Sequence, residues 1–129
     1  MSKEKIRLLV FDWDGTVMDS TANIVACMRQ SLEDIGVEGV PEHVMRGTIG
    51  LGFSETLERI VPGAGADLRD RMVERYRHHW FAHYREVGEP FEGVRETIQE
   101  LSSRDYLLAV ATGKGRPGLD HDLQLTQLA

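Results

Sequence analysis

The stretch Leu8-Leu9-Val10-Phe11-Asp12-Trp13-Asp14-Gly15-Thr16 decides how the rest of this chain is read. A continuous apolar run, with charged residues before it and two carboxylates and Gly15 after it, has the pattern of a fully buried parallel strand that ends in acids. In an open α/β sheet, ligands bind in the crevice outside the carboxyl ends of the strands, so the strand and the site converge on Asp12 and Asp14. Side chains alternate along extended backbone, which aims Asp12 and Asp14 to one side and Trp13 to the other. Both acids can then serve one substrate. The plainer reading is a strand followed by a polar turn, where Asp and Gly are frequent.

Working outward, the segment from about Ser20 to Ile35 carries Ile24, Val25, Met28, Leu32 and Ile35 at a helical period, with Asp19 or Ser20 as N-cap and Gly36 as C-cap. Pro41 suits the first turn of a short helix through about Arg46, which Gly47-Thr48-Ile49-Gly50-Leu51-Gly52 interrupts. Three glycines in six residues predict either a loop that lets backbone approach a ligand or a plain helix-helix connection; their order is not that of a dinucleotide fingerprint. Phe53, Leu57, Ile60 and Val61 mark a third helix, closed by Pro62-Gly63. The longest helical pattern runs from about Asp67 to Tyr84, with Leu68, Met72, Tyr76, His79 or Trp80, and His83 along one face. His79 and His83 stand at i,i+4, but no Glu follows His79 as the His-Glu-x-x-His zinc motif requires, so both read as surface or packing histidines. Tyr76, Trp80, Phe81 and Tyr84 likewise read as packing.

Gly88-Glu89-Pro90-Phe91-Glu92-Gly93 reads as a hinge that returns the chain to its first strand. A helix over about Val94 to Ser103, with Ile98 and Leu101 inward, leads to a second buried strand, Tyr106 to Ala111, ending at Thr112-Gly113-Lys114. A hydroxyl and exposed amides at a strand-to-helix turn are good donors to an anion. A final helix follows over Gly115 to Ala129, with Leu119, Leu123 and Leu128.

At 129 residues the chain has room for one modest domain or a core module with an insertion. Its formal charge is −6 and its arginines are scattered singly, which argues against nucleic acid and against a polybasic membrane patch. Cys27 is the single cysteine, so no intramolecular disulfide or cysteine-based zinc site forms, and it reads as a small buried hydrophobe. Met1-Ser2-Lys3-Glu4-Lys5 has no apolar signal segment and no run reaches membrane-spanning length, so a cytoplasmic protein is expected.

The Asp-x-Asp-Gly-Thr spacing from Asp12 to Thr16, with Thr112-Gly113 after a second strand, resembles the first two motifs of the haloacid dehalogenase-like superfamily. The resemblance implies an α/β, Rossmann-like core with a parallel sheet, incomplete here, formed by residues 1–15 and 89–129. An all-helical cap would be inserted at 16–88. It implies that Asp12 is a nucleophile taking a phosphoryl group, that Asp14 is its general acid/base, and that Thr112, Gly113 and Lys114 bind the phosphoryl oxygens. It further implies Mg2+ held by the Asp12 side chain and the Asp14 backbone carbonyl. Elementary chemistry agrees: a carboxylate nucleophile splits phosphoester hydrolysis into two easier steps, and an anionic nucleophile beside phosphate needs a hard cation. Phe-Asp-Trp-Asp-Gly-Thr, Phe-Glu-Gly-Val and Ala-Thr-Gly-Lys-Gly-Arg look most like the phosphoglycolate phosphatases.

The expected function is therefore magnesium-dependent hydrolysis of a small phosphorylated metabolite, phosphoglycolate-like, through an aspartyl-phosphate. The alternatives are a β-phosphoglucomutase-like phosphotransferase and a truncated, non-catalytic phosphate-binding chain. Asp14 argues against carbon-attacking dehalogenases, and the absence of lysine between Lys5 and Lys114 argues against Schiff-base phosphonate cleavage. Arg46 and the loop from Gly47 to Gly52 are expected to face the active site, with Arg46 pairing a substrate carboxylate; its plainer reading is a solvated surface arginine. The third motif's lysine and the fourth motif's acids have no counterpart, so the resemblance covers about the first half of a complete enzyme. On that ground the isolated chain is expected to be a poor catalyst and to self-associate through uncovered sheet edges.

Overall fold

The computed structural model of the protein describes residues 5–84 and 88–128. Met1 to Glu4, most of the stretch read for a signal, lie outside the described residues, as do 85–87 within the expected cap and Ala129 at the end of the last helix. Strand β1 (Leu8–Phe11) pairs in parallel with β2 (Leu107–Val110), in a register that runs from Leu8 opposite Leu107 to Phe11 opposite Val110. Between the strands stand α1 (Thr21–Asp34), α2 (Glu42–Arg46), α3 (Phe53–Ile60), α4 (Ala66–His79) and α5 (Val94–Ser103); α6 (Arg116–Thr126) follows β2. The α/β architecture expected from the two apolar runs is present.

The apolar side chains divide into two cores. Ile24, Val25, Met28, Leu32 and Ile35 of α1 and its end pack with Met45, Leu57 and Met72 from the three helices after it. All five periodic positions of α1 are buried, and Gly36 closes the helix in the left-handed conformation (φ 83°) that glycine adopts without steric cost. Cys27 is fully buried in this bundle, where burial pushes its thiol up to about 12, so it is a packing group and a poor nucleophile. Residues Trp80–Tyr84 continue α4 as one π-helical turn. The wider turn resolves the alternative at the end of α4: Trp80 joins the bundle core, while Nε2 of His79 meets Asp34 Oδ2 at 2.6 Å.

The second core lies under the sheet. Trp13, Val17, Met18 and Leu119 are buried there, against Phe11, Val110, Val94, Ile98 and Leu123. The backbone closes this layer where the chain returns from the helices. Asp19 N donates to Glu89 O at 2.8 Å and Phe91 N to Val17 O at 3.0 Å. One expectation is corrected. The strands pair as expected but are not fully buried: Leu8, Val10 and Leu107 are 51%, 57% and 67% exposed. Because the pleat sends alternate side chains to opposite faces, the Phe11 and Val110 face is covered and the Leu8 and Val10 face is open.

Candidate active site

The chain leaves β1 at Phe11 and turns at once. Gly15, with φ 79°, lets the amides of Thr16, Val17 and Met18 fold back onto the Trp13 carbonyl at 2.9–3.1 Å. This turn sends Trp13 into the sheet core and leaves both acids on a cleft of about 480 Å³, as the alternation along the strand predicted. Asp12 is exposed and its Oδ2 accepts from Thr16 Oγ1 at 3.0 Å. Asp14 is half-buried, and its Oδ1 accepts from Ser20 Oγ at 2.8 Å. Ser20 holds the N-cap position of α1, but its hydroxyl serves Asp14 instead of the helix amides. This second use of a cap residue explains a role that sequence could not assign.

Across the cleft, β2 delivers Thr112, Gly113 and Lys114. The Lys114 amide donates to Thr112 Oγ1 at 3.1 Å, which fixes the turn into α6. The first turn of that helix, through Gly115, Pro117 and Gly118, lines the same cleft, so its positive end adds to the anion-binding character of the turn. Nζ of Lys114 stands 3.7 Å from Asp14 Oδ1 and 4.7 Å from the centre of the Trp80 ring. The motif residues expected from the sequence are thus brought to one place.

The helical bundle supplies the opposite wall. Thr48 to Phe53 line it, which favours the close-approach reading of the glycine loop over the plain connection. A Cβ on Gly113 would lie 3.3 Å from the Gly50 carbonyl oxygen, so loop and turn meet backbone to backbone. Arg46 is placed elsewhere. It is exposed, pairs with Glu42 at 3.7 Å along α2, and is not among the residues lining the cleft. Although it is the last residue of α2 and directly precedes the loop, its side chain turns back along the helix to Glu42. The arginine at the cleft is Arg77 of α4, with Tyr76, Trp80 and Phe81 beside it. These aromatics therefore pack and line the site at once. Burial, with Cys27 and Asp14 nearby, holds the Tyr76 hydroxyl well above its ordinary range.

Two residues escaped sequence reasoning altogether. Asp122 is buried on α6, where its Oδ2 accepts from Trp13 Nε1 at 2.9 Å and lies 3.4 Å from Lys114 Nζ. A signal existed: Leu119, Asp122, Leu123 and Thr126 follow the i, i+3, i+4, i+7 spacing of an inner helix face, and an acid there requires a partner. Arg77, by contrast, sits among charged residues of α4 and carries no mark in the sequence.

The donor set suits a hard cation. Asp12 and Asp14 offer carboxylate oxygens at one cleft, and Mg2+ is ordinarily held by one or two carboxylates with phosphate and water completing its shell. Among the described residues no group of three or more His, Cys, Asp or Glu forms a dedicated protein cage.

Comparison with known proteins follows the same lines. Residues 9–129 match the model of the haloacid dehalogenase-like hydrolases. A phosphoglycolate phosphatase of Aquifex aeolicus is 29% identical over 110 residues, covering 84% of this chain and 50% of that protein. Pyrophosphatase PpaX of Bacillus mycoides is 27% identical over 124 residues, covering 96% of this chain and 56% of that protein. The chain thus spans about half the length of the curated relatives it matches. In three dimensions, a protein assigned as a haloacid dehalogenase-like hydrolase from Bacteroides fragilis superposes with a TM-score of 0.86 at 23% identity, covering 93% of this chain and 57% of that one.

Proposed function

The chain belongs to the haloacid dehalogenase-like hydrolase family, and from that premise we propose that the protein is a magnesium-dependent phosphomonoester hydrolase working through an aspartyl-phosphate. One observation carries the reading: Asp12 and Asp14 share a single cleft with Thr112, Gly113 and Lys114, so two acids face a set of anion donors. In this reading residues 1–15 and 89–129 form the core and 16–88 the cap. The protein is taken to be cytoplasmic; no described helix is long and apolar enough to cross a membrane.

A carboxylate oxygen of Asp12 attacks phosphorus as the bond to the ester oxygen breaks, and Asp14 gives its proton to the departing oxygen. Asp14 then takes a proton from water, the resulting hydroxide attacks phosphorus, and the Asp12 carboxylate is released with inorganic phosphate. Thr16 orients Asp12, and Ser20 orients Asp14. Thr112, the amide of Gly113 and the Lys114 ammonium hold the phosphoryl oxygens. Magnesium, held by the Asp12 carboxylate and the Asp14 carbonyl, would neutralise charge on the phosphoryl group.

The substrate in this reading is a small phosphorylated metabolite of the phosphoglycolate type, which the name of the Aquifex aeolicus relative favours, whereas the Bacillus mycoides relative is named a pyrophosphatase. Arg77 at the cleft wall takes over the carboxylate-binding role first expected of Arg46. Self-association through the open sheet edge is part of the same proposal and is read by solution mass.

Phosphate release and trapping of the aspartyl-phosphate test the chemistry. Asp12→Asn is expected to lose both, and near-normal turnover would remove the covalent step. Asp14→Asn is expected to slow turnover by roughly 10²–10⁴, less for a good leaving group such as nitrophenolate. Conversion of a sugar phosphate into its isomer, without release of phosphate, would replace hydrolysis by phosphoryl transfer.

A further inference from the structure

We propose that Asp122 is a positioning residue that holds Lys114 at the phosphoryl-binding turn and keeps it from committing to Asp14. The proposal rests on the phosphoryl-transfer reading of the cleft. Asp122 is only 5% exposed, and a buried carboxylate is costly unless it is paired and hydrogen-bonded. Both conditions are met by residues of the site: Trp13 Nε1 donates to Oδ2 at 2.9 Å, and the Lys114 ammonium lies 3.4 Å from the same oxygen. Trp13 stands between the two acids of the first motif and Lys114 closes the second. Asp122 therefore ties the two motifs together from below.

Lys114 is constrained along its whole length. Its amide is bound to Thr112 Oγ1, and its stem passes over Gly118, where a Cβ would sit 3.2 Å from Cε. Its ammonium lies over the face of Trp80. The ammonium is nearer to Asp122 than to Asp14, at 3.4 against 3.7 Å. With Asp122 absent, Asp14 would be the remaining carboxylate within ion-pair distance, and the residue that must give and take a proton would hold the lysine more tightly. Sharing the cation leaves Asp14 free for proton transfer and leaves Lys114 already oriented before a phosphate arrives, so little freedom is lost on binding.

The chain has three lysines, Lys3, Lys5 and Lys114, so protein labelled with 13C at the lysine ε-carbon gives few signals. The ε-methylene of Lys114 should be shifted upfield by the Trp80 ring. Asp122→Asn keeps the volume and an acceptor for Trp13 but removes the charge. It is expected to abolish the ring shift and to weaken binding of inorganic phosphate about tenfold, the loss typical of one charged contact. Asp122→Glu, which keeps the charge one methylene further out, is expected to retain a shifted lysine and most of the phosphate affinity, and it decides should Asp122→Asn fail to fold. An Asp122→Asn variant that keeps the shift, or loses it with phosphate affinity unchanged, overturns the proposal, as does a folded Asp122→Glu variant that loses both. A wild-type protein that shows the shifted lysine but binds no phosphate defeats the phosphoryl reading instead; loss of the shift in Asp122→Asn would still support the tether.

Discussion

The helical bundle and the sheet layer are built from similar apolar residues but close on themselves to different degrees. The bundle's core is complete, with Ile24, Met28, Leu32, Met45 and Met72 buried among α1 to α4. The sheet layer has one packed face, on Trp13 and Leu119, and one open face at Leu8, Val10 and Leu107. The difference teaches that helices of one continuous segment can bury their stripes among themselves, α1 chiefly against α4, whereas a strand needs a cover on each face of its sheet. Here β1 and β2 are separated by five α-helices and meet in parallel, which requires a crossover.

The sharpest way to break this comparison is to remove apolar surface from one side chain in each region. Leu32→Ala, in the closed core, is expected to destabilise the protein by about 2–5 kcal/mol, whereas Val10→Thr, on the open face, is expected to stay within about 0.5 kcal/mol. Urea unfolding measures both, and equal losses would mean that the open face is covered in solution. The cleft between the regions offers a second contrast. Arg77→Ala is expected to reduce the preference for carboxylate-bearing over neutral phosphoesters about tenfold, while Arg46→Ala leaves it within about twofold. A reversed result in substrate competition would return the substrate contact to α2.

The smallest expected effect belongs to the outside of the bundle. His79 and Arg75, both bonded to Asp34, hold its carboxyl below the usual range. Because the folded value is lowered, the stabilisation is present above the ordinary carboxylate value near 3.9 and is lost as pH falls through the lowered folded value. The stability gap between wild type and Asp34→Asn should therefore close on acidification and shrink with salt. A gap that persists unchanged in acid would show that the contact acts through shape instead of charge.

These contrasts also explain what the sequence disclosed. α1 was legible to its last turn, because Ile24 to Ile35 follow one period and Gly36 ends it. The strand-acid junction was legible for a similar reason, since Asp12, Trp13 and Asp14 need only the alternation of extended backbone. What sequence missed depends on distant groups. Ser20 reads as a cap until Asp14 is seen beside it, and the side of α4 facing the cleft follows from bundle packing, which brings Arg77 in and leaves Arg46 out. The exposure of Val10 was hidden because a buried strand and a half-covered one share the same apolar run.

The chain has two tryptophans, and they report on different halves: Trp13 belongs to the sheet core and Trp80 to the bundle. Their surroundings differ optically. Trp80 has an ammonium over its ring at 4.7 Å and Tyr76 stacked 6.0 Å away, while the Trp13 indole is hydrogen-bonded to a carboxylate. Intrinsic fluorescence therefore contains one lamp in each region. With tryptophan excited selectively over the three tyrosines, Trp80→Phe leaves light from the sheet and Trp13→Phe leaves light from the bundle, so unfolding of the two regions and arrival of an anion at Lys114 can be watched separately without any attached dye.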